Sequence, residues 1–366
     1  MAARGGLRGP GHHDGRCRHG PAVGQTRLDR LTGRARNQHR RSVPLITVLA
    51  GGVGAAKFLA GLVEDVGPGN VTAVVNVADD TAVHGLHVSP DLDSCTYTLA
   101  AANDTERGWG LRGETWQAMD QLRTYAEAND VTTGDAAAWF SLGDRDLGTH
   151  LYRTSRLGAG NPLSAVTAEI IRGWGLSTRL LPVTDDPLRT RVRTTDGREL
   201  AFQEYFVRER HDVEVESVAV NGIEAARPAP GVIEAIESAD AVVIAPSNPV
   251  VSIEPVLAVP GVREAVSAMR DRVVAISPIV GGAALKGPAD RLLRDLGHEP
   301  SVAGIARWYE PVAATLVIDL EDQDHADAVR AAGVDCVVTD TIMRNAEVSA
   351  DLAATAIAAA TARADS

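Results

Sequence analysis

The chain has 366 residues, 45 % of them hydrophobic, enough to bury a sizeable core in one large α/β domain with a subsidiary lobe. Its net charge is −12, yet residues 1–42 hold ten Arg against two Asp, so the body sits near −20 by that count and has no basic stripe for nucleic acid. No apolar run reaches the roughly 18 residues of a membrane span, and the scattered Cys17, Cys95 and Cys336 form no CxxC, which points to reduced thiols in a cytoplasm rather than a disulfide framework or thiolate metal site.

The segment Met1–Ser42 is rich in Gly, Arg and His and poor in large apolar residues. It cannot bury enough surface to offset the entropy of ordering, so it is expected to be a disordered extension outside the fold. An upstream start codon is the simplest source of such an extension. The segment has no apolar h-region of a secretory signal, which fits a cytoplasmic protein.

A regular pattern begins at Leu45. LITVLA reads as a short buried strand, followed by the glycine turn Gly51, Gly52, Val53, Gly54 and a helix to about Asp65. A second strand, Val71–Val77, ends at Asp79 and Asp80, completing a Rossmann-like β–turn–α–β opening. From about Ser94 to Trp174 the pattern is mostly helical, with Asn161-Pro162 as a helix start. RTRVRTTDGRELAFQEYFV then places Asp196-Gly197 between two alternating runs, a hairpin signal. After Pro230 helices and strands alternate again: GVIEAIESAD, AVVIAPSN, a helix near Val262–Met269, RVVAISPIV, TLVIDL, VDCVVTD and an Ala-rich terminal helix. The fold class is therefore α/β: a Rossmann-like, doubly wound, mostly parallel sheet over residues 43–366, with a helical and β-hairpin insertion at about 95–220.

Ligands of such sheets bind beyond the carboxyl ends of the strands. The first loop there, Ala50–Lys57, offers Gly51, Gly52, Gly54 and Lys57 to a phosphate, although it fits neither the Walker spacing nor a full GxGxxG, and a tight turn with no ligand is the alternative. The second, Asn76–Ser94, carries Asp79, Asp80, Asp91 and Asp93. Clustered carboxylates suit Mg²⁺ and, through it, phosphate oxygens. Asp79 or Asp80 could instead bind a ribose, and Asp93 is a fair helix N-cap. The third and fourth, Ala245–Ser252 and Ser277–Asp290, bring Ser247, Asn248 and Ser277, short polar groups that suit a nucleotide and also ordinary turns. Only two lysines occur, Lys57 and Lys286, against 34 Arg. GC-rich codon bias explains that scarcity, yet both fall where phosphate contacts are plausible.

Taken together, ITVLAGGVGAAKFLAG, VVNVADD, SPDLDS, RGWG with ETW, WFSLGDRDLGTHLYR, LLPVTDDP, FQEYFVRER, APSNPVVSIEP, SPIVGGAALKGPAD and VTDTIM resemble the 2-phospholactate or phosphoenolpyruvate transferases of deazaflavin coenzyme F-420 synthesis. The resemblance runs from residue 45 to about 345. It implies a homodimer and Mg²⁺-dependent transfer of a phospholactyl or phosphoenolpyruvyl group from a guanosine diphosphate-activated donor to the ribityl hydroxyl of a deazaflavin acceptor, releasing GMP. It also implies a deazaflavin contact at Asp93, the second Asp of PDLD, and another at Ser141. With the acidic loop it makes Asp79 and Asp93 the expected metal ligands and Asp91 and Asp93 the expected catalytic carboxylates. Arg145 and Arg153 are candidate charge stabilisers. Lactate and enolpyruvate both remain open as the transferred acid, although an Arg- and Ala-rich composition suggests a GC-rich actinobacterial source, for which enolpyruvate is the expectation. Two other readings use the same first loop: a nicotinamide-dependent oxidoreductase, disfavoured by the imperfect fingerprint, and a non-catalytic sugar-nucleotide-binding regulator, which should lack PDLDS and LGDRD.

Overall fold

Runs of Val, Ile, Leu and Ala build the centre of the protein. In the computed structural model, which describes residues 43–129 and 139–364, seven strands form one sheet in the order Arg179–Pro182, Val71–Val75, Ile46–Ala50, Ala241–Ile244, Val273–Ile276, Thr315–Ile318 and Asp335–Val338. Every neighbouring pair is parallel. Four of these strands, beginning at Ile46, Ala241, Val273 and Thr315, are buried along their whole length. Helices covering both faces explain why they read as continuous apolar runs rather than alternating ones. The order of the strands reverses between Ile46–Ala50 and Ala241–Ile244, which is the switch point where doubly wound sheets open a crevice.

The helix Gly52–Val66 leaves the first strand directly. A Cβ on Gly61 would sit 2.4 Å from the backbone carbon of Ser349, so glycine lets this helix lie against the C-terminal helix Ala346–Ala364. From Val43 the chain clusters as one compact unit; the expected disorder of residues 1–42 concerns residues outside those described. Among the described residues no helix is long and apolar enough to cross a membrane.

Four local expectations change. The stretch at about 95–220 is not one uninterrupted insertion, because Arg179–Pro182 within it forms an edge of the core sheet beside Val71–Val75. The Asp196-Gly197 hairpin is present, but its second strand stops at Ala201 and a third strand, Val215–Asn221, pairs on the other side of Arg189–Thr194. Phe202 and its neighbours turn instead into a helical segment, Glu204–Arg208, which keeps the rings on one side. Asn161 does not cap the helix Leu163–Gly173; its amide donates back to the Arg156 carbonyl at 3.0 Å, and Asp185 accepts from the Ser164 backbone N–H at 2.6 Å. Asp93 is not a cap either, since the helix Pro90–Leu99 begins at Ser89 and holds Asp93 inside its first turn.

Candidate functional site

The crevice at the switch point is pinned shut at its base. Gly54 lies so close to the next loop that a Cβ would meet the Pro246 carbonyl oxygen at 2.3 Å, and the Ser247 hydroxyl donates to the Gly51 carbonyl at 2.8 Å. Gly52 holds φ at +72°, a conformation that favours glycine. The Asn248 side-chain oxygen accepts from the N–H groups of Val250 (2.9 Å) and Val251 (3.4 Å), while its Nδ2 is buried and has no partner. Ser277 closes its own turn, donating to and accepting from Ile279 at 2.9 and 3.1 Å. Ser247 and Ser277 both line the cavity, but their hydroxyls are committed to shaping it. Lys57 lines it too, donating to the Met343 carbonyl at 3.3 Å; burial, then the charge of Lys286, lowers its pKa.

Asp91 and Asp93 sit two residues apart on one helix, about 200° apart around its axis, and so meet different neighbours. Asp91 turns to the first loop, where it accepts from the Asn76 amide at 3.0 Å and from the Gly52 backbone N–H. Burial outweighs these bonds and, with the charges of Asp80 and Asp93, raises the Asp91 pKa to about 6. Burial, then the charge of Asp91, pushes Asp79 up as well, and one of its oxygens is buried without a hydrogen bond. Asp80 is engaged, accepting from Ser89 at 2.8 Å and paired with His87 at 2.7 Å.

Asp93 faces the other way. Both its oxygens bind the guanidinium of Arg153, one of them at 3.1 Å, and Arg153 is almost completely buried. Arg153 also donates to His150 Nδ1 at 3.3 Å, which places the His150 proton on Nε2, 3.2 Å from Asp146. Asp146 accepts from the Tyr97 hydroxyl at 2.5 Å. Burial works against its charge, but the bonds from His150 and Tyr97 hold the Asp146 pKa below the usual range. Asp146, His150 and Arg153 fall at i, i+4 and i+7 of the helix Asp146–Gly158. This spacing is a stripe on one helical face, and it was the signal in the sequence for a buried polar chain behind Asp93. Arg145, by contrast, is exposed and donates to the Arg112 carbonyl.

These groups open into one cavity of about 1030 Å³ that brings together Gly51, Gly52, Gly54, Lys57, Asp79, Asp91, Asp93, Ser141, Ser247, Asn248 and Ser277. The sequence reading did not single out the cavity's aromatic walls. On one side Arg107 lies over the ring of Trp109 at 5.0 Å; on another Phe202 and Phe206 stack at 5.6 Å. Planar ligands gain from such faces.

The carboxylates fit Mg²⁺, though not with the expected pair. Arg153 occupies both oxygens of Asp93, whereas Asp79 keeps an orphaned buried oxygen beside Asp91. Among the described residues no three acidic, His or Cys side chains form a cation cage. Two carboxylates are sufficient, because Mg²⁺ commonly takes one or two from protein and the rest of its shell from phosphate and water.

A family model described as "2-phospho-L-lactate transferase CofD" matches residues 46–360. The chain is 43 % identical to a phosphoenolpyruvate transferase of Nocardia farcinica, over 88 % of this chain and 96 % of that protein. It is 44 % identical to a phosphoenolpyruvate transferase of Streptomyces griseus, over 85 % and 97 %, and 43 % identical to one of Mycobacterium avium, over 84 % and 97 %. Among solved structures, a UPF0052-family protein of Bacillus halodurans superposes with a TM-score of 0.53 at 16 % identity, covering 85 % of this chain and 98 % of that one. At that identity the likeness establishes the fold.

Proposed function

The chain belongs to the CofD family of 2-phospho-L-lactate transferases, and from that premise we propose that it transfers a phosphoenolpyruvyl group from a guanosine diphosphate-activated donor to the ribityl hydroxyl of a deazaflavin, releasing GMP, in coenzyme F-420 biosynthesis. The relatives named above as phosphoenolpyruvate transferases support enolpyruvate over lactate as the transferred acid. The observation that carries the reading is the placing of two buried acids without a cationic partner among the described residues, Asp79 and Asp91, beside a glycine turn at the switch point, in a cavity with aromatic walls.

Backbone N–H groups at the start of the helix Gly52–Val66, with Lys57, hold the diphosphate. The free Nδ2 of Asn248 donates to the nucleotide. Asp79 and Asp91 hold Mg²⁺, which when bound neutralises charge on the phosphate oxygens. Asp93, fixed in direction by Arg153, uses the lone pairs that the Arg153 bonds leave on its oxygens to orient the acceptor hydroxyl and receive its proton. The hydroxyl oxygen bonds to the phosphorus bearing enolpyruvate, the bridging P–O bond to the guanosine phosphate breaks, and GMP leaves with that electron pair. Little covalent assistance is needed for such a step, because positioning and charge neutralisation supply most of the acceleration. The cytoplasm and a homodimer are the setting this reading takes.

The test is to incubate the full chain with Mg²⁺, the deazaflavin alcohol and the guanylated enolpyruvate donor, and follow product and GMP by mass spectrometry. Product in the complete mixture, and none without donor, is expected. In parallel, GDP should raise the melting temperature more than NAD does, by mass action on the native state. Stabilisation by NAD alone, with no transfer, would refute the proposal.

A further inference from the structure

The two lysines of this chain, Lys57 and Lys286, line the same cavity although 229 positions separate them in sequence. Lys57 rises from the helix that follows the glycine turn. Lys286 comes from a separate loop, just after the hairpin of Ile279–Val280 and Ala283–Ala284, with its ammonium 3.4 Å from where a Cβ on Gly108 would be. They are near enough for the charge of Lys286 to help lower the Lys57 pKa. Neither has a carboxylate partner among the described residues, whereas the arginines of the cavity wall do: Arg107 pairs with Asp104 and Arg344 with Asp340. Two like charges left unpaired in one cavity, in a chain of formal charge −12, favour an anion between them.

Resting on the function proposed above, we propose that Lys286 is a specificity-determining residue that binds the carboxylate of the transferred three-carbon acid, while Lys57 faces the diphosphate. The geometry leaves that carboxylate few other directions. On one side Asp79, Asp91 and Asp93 would repel it; the aromatic faces offer it no charge; Arg107 and Arg344 are already neutralised. Lys57 stands in the helix that follows Gly51–Gly54, at the phosphate end, so the Lys286 ammonium, carried by a separate loop beside Gly108, is the one left for the acid. Charge selection by Lys286 therefore separates a donor bearing a carboxylate from a guanosine diphosphate ester without one, such as a nucleotide sugar.

The experiment compares the full-length protein with Lys286→Met and Lys286→Arg, measuring KM for the guanylated enolpyruvate donor and the Kd of GDP by calorimetry. For Lys286→Met, donor KM should rise roughly tenfold or more, as for loss of a charge-assisted hydrogen bond, while GDP affinity stays within about threefold and Lys286→Arg recovers most of the loss. Unchanged donor KM in Lys286→Met would overturn the proposal. So would an equal weakening of GDP, which would move Lys286 to the diphosphate. Wild-type protein that binds GDP but transfers nothing would instead overturn the function on which the inference rests, and the two failures are distinguishable.

Discussion

Asp91→Asn removes a carboxylate whose ionisation the folded protein resists. Its pKa is about 6 in the fold, against 3.8 for an ordinary Asp, so holding it charged at pH 8 costs about 3 kcal/mol. The folded state takes up this proton before the unfolded state as pH falls. The cost is therefore present above about pH 6, shrinks between pH 6 and 3.8, and is gone below. Asn keeps the shape and can still accept from Gly52, but loses the bond from the Asn76 amide, worth about 1 kcal/mol. A net gain of about 2 kcal/mol remains, or about 4 °C in melting temperature at about 2 °C per kcal/mol for a domain of this size. Melting curves of the wild type and variant from pH 4.5 to 8 in EDTA should differ by that amount at pH 8 and converge towards pH 4.5. Repeated with millimolar Mg²⁺, the wild type should gain stability at pH 8 and progressively less below pH 6, where proton and cation compete, while the variant gains nothing. Curves that run parallel at every pH would refute the perturbed ionisation, and an undiminished Mg²⁺ response in the variant would refute the ligand assignment.

Asp93→Asn should lower turnover at least roughly 100-fold, read by product formation. It should also cost about 3 kcal/mol in urea denaturation, because buried Arg153 loses its counter-charge. The double change Arg153→Met with Asp93→Leu should recover most of that stability and none of the turnover. Gly54→Ala forces a methyl against the Pro246 carbonyl and should destabilise by about 1–3 kcal/mol, with GDP affinity by calorimetry falling more than about tenfold as the crevice spreads. A chain of residues 43–366 should melt and turn over as the full-length protein does, since the family match starts at residue 46; failure to fold would show that the extension contributes to the domain.

Much of the fold was legible because buried parallel strands leave unbroken apolar runs, and LITVLA, AVVIAP and TLVIDL could be little else. Arg179–Pro182 was harder to see: it is a short edge strand among polar neighbours, and its place in the sheet depends on pairing with Val71–Val75, more than a hundred positions away. Sequence order brought the loops of the site together correctly, because strand ends in a doubly wound sheet share one edge. It did not divide labour within them. Asp91 and Asp93 look equivalent in PDLDS, yet about half a turn of helix sends the first to Asn76 and the second to Arg153, sixty residues on. Ser247 and Ser277 looked like ligand groups, while the hydroxyl of the first ties its loop to Gly51 and that of the second closes its own turn. Asn248 divides between the two roles, with its oxygen capping and its nitrogen free.

The contact between Gly61 and Ser349 ties the helix that begins at the glycine turn to the helix Ala346–Ala364, about 290 residues later in the sequence. Besides the nearby helix Pro90–Leu99, the first helix gains this covering partner only when Ala346–Ala364 has left the ribosome. Contacts so distant in sequence close late in folding, because the loop entropy must be met before they stabilise anything. The earliest loop to be synthesised is thus among the last to be fixed in place. A chain cut before Ala346 holds the complete glycine turn without a settled diphosphate site, so donor binding reports on whether that helix is in place.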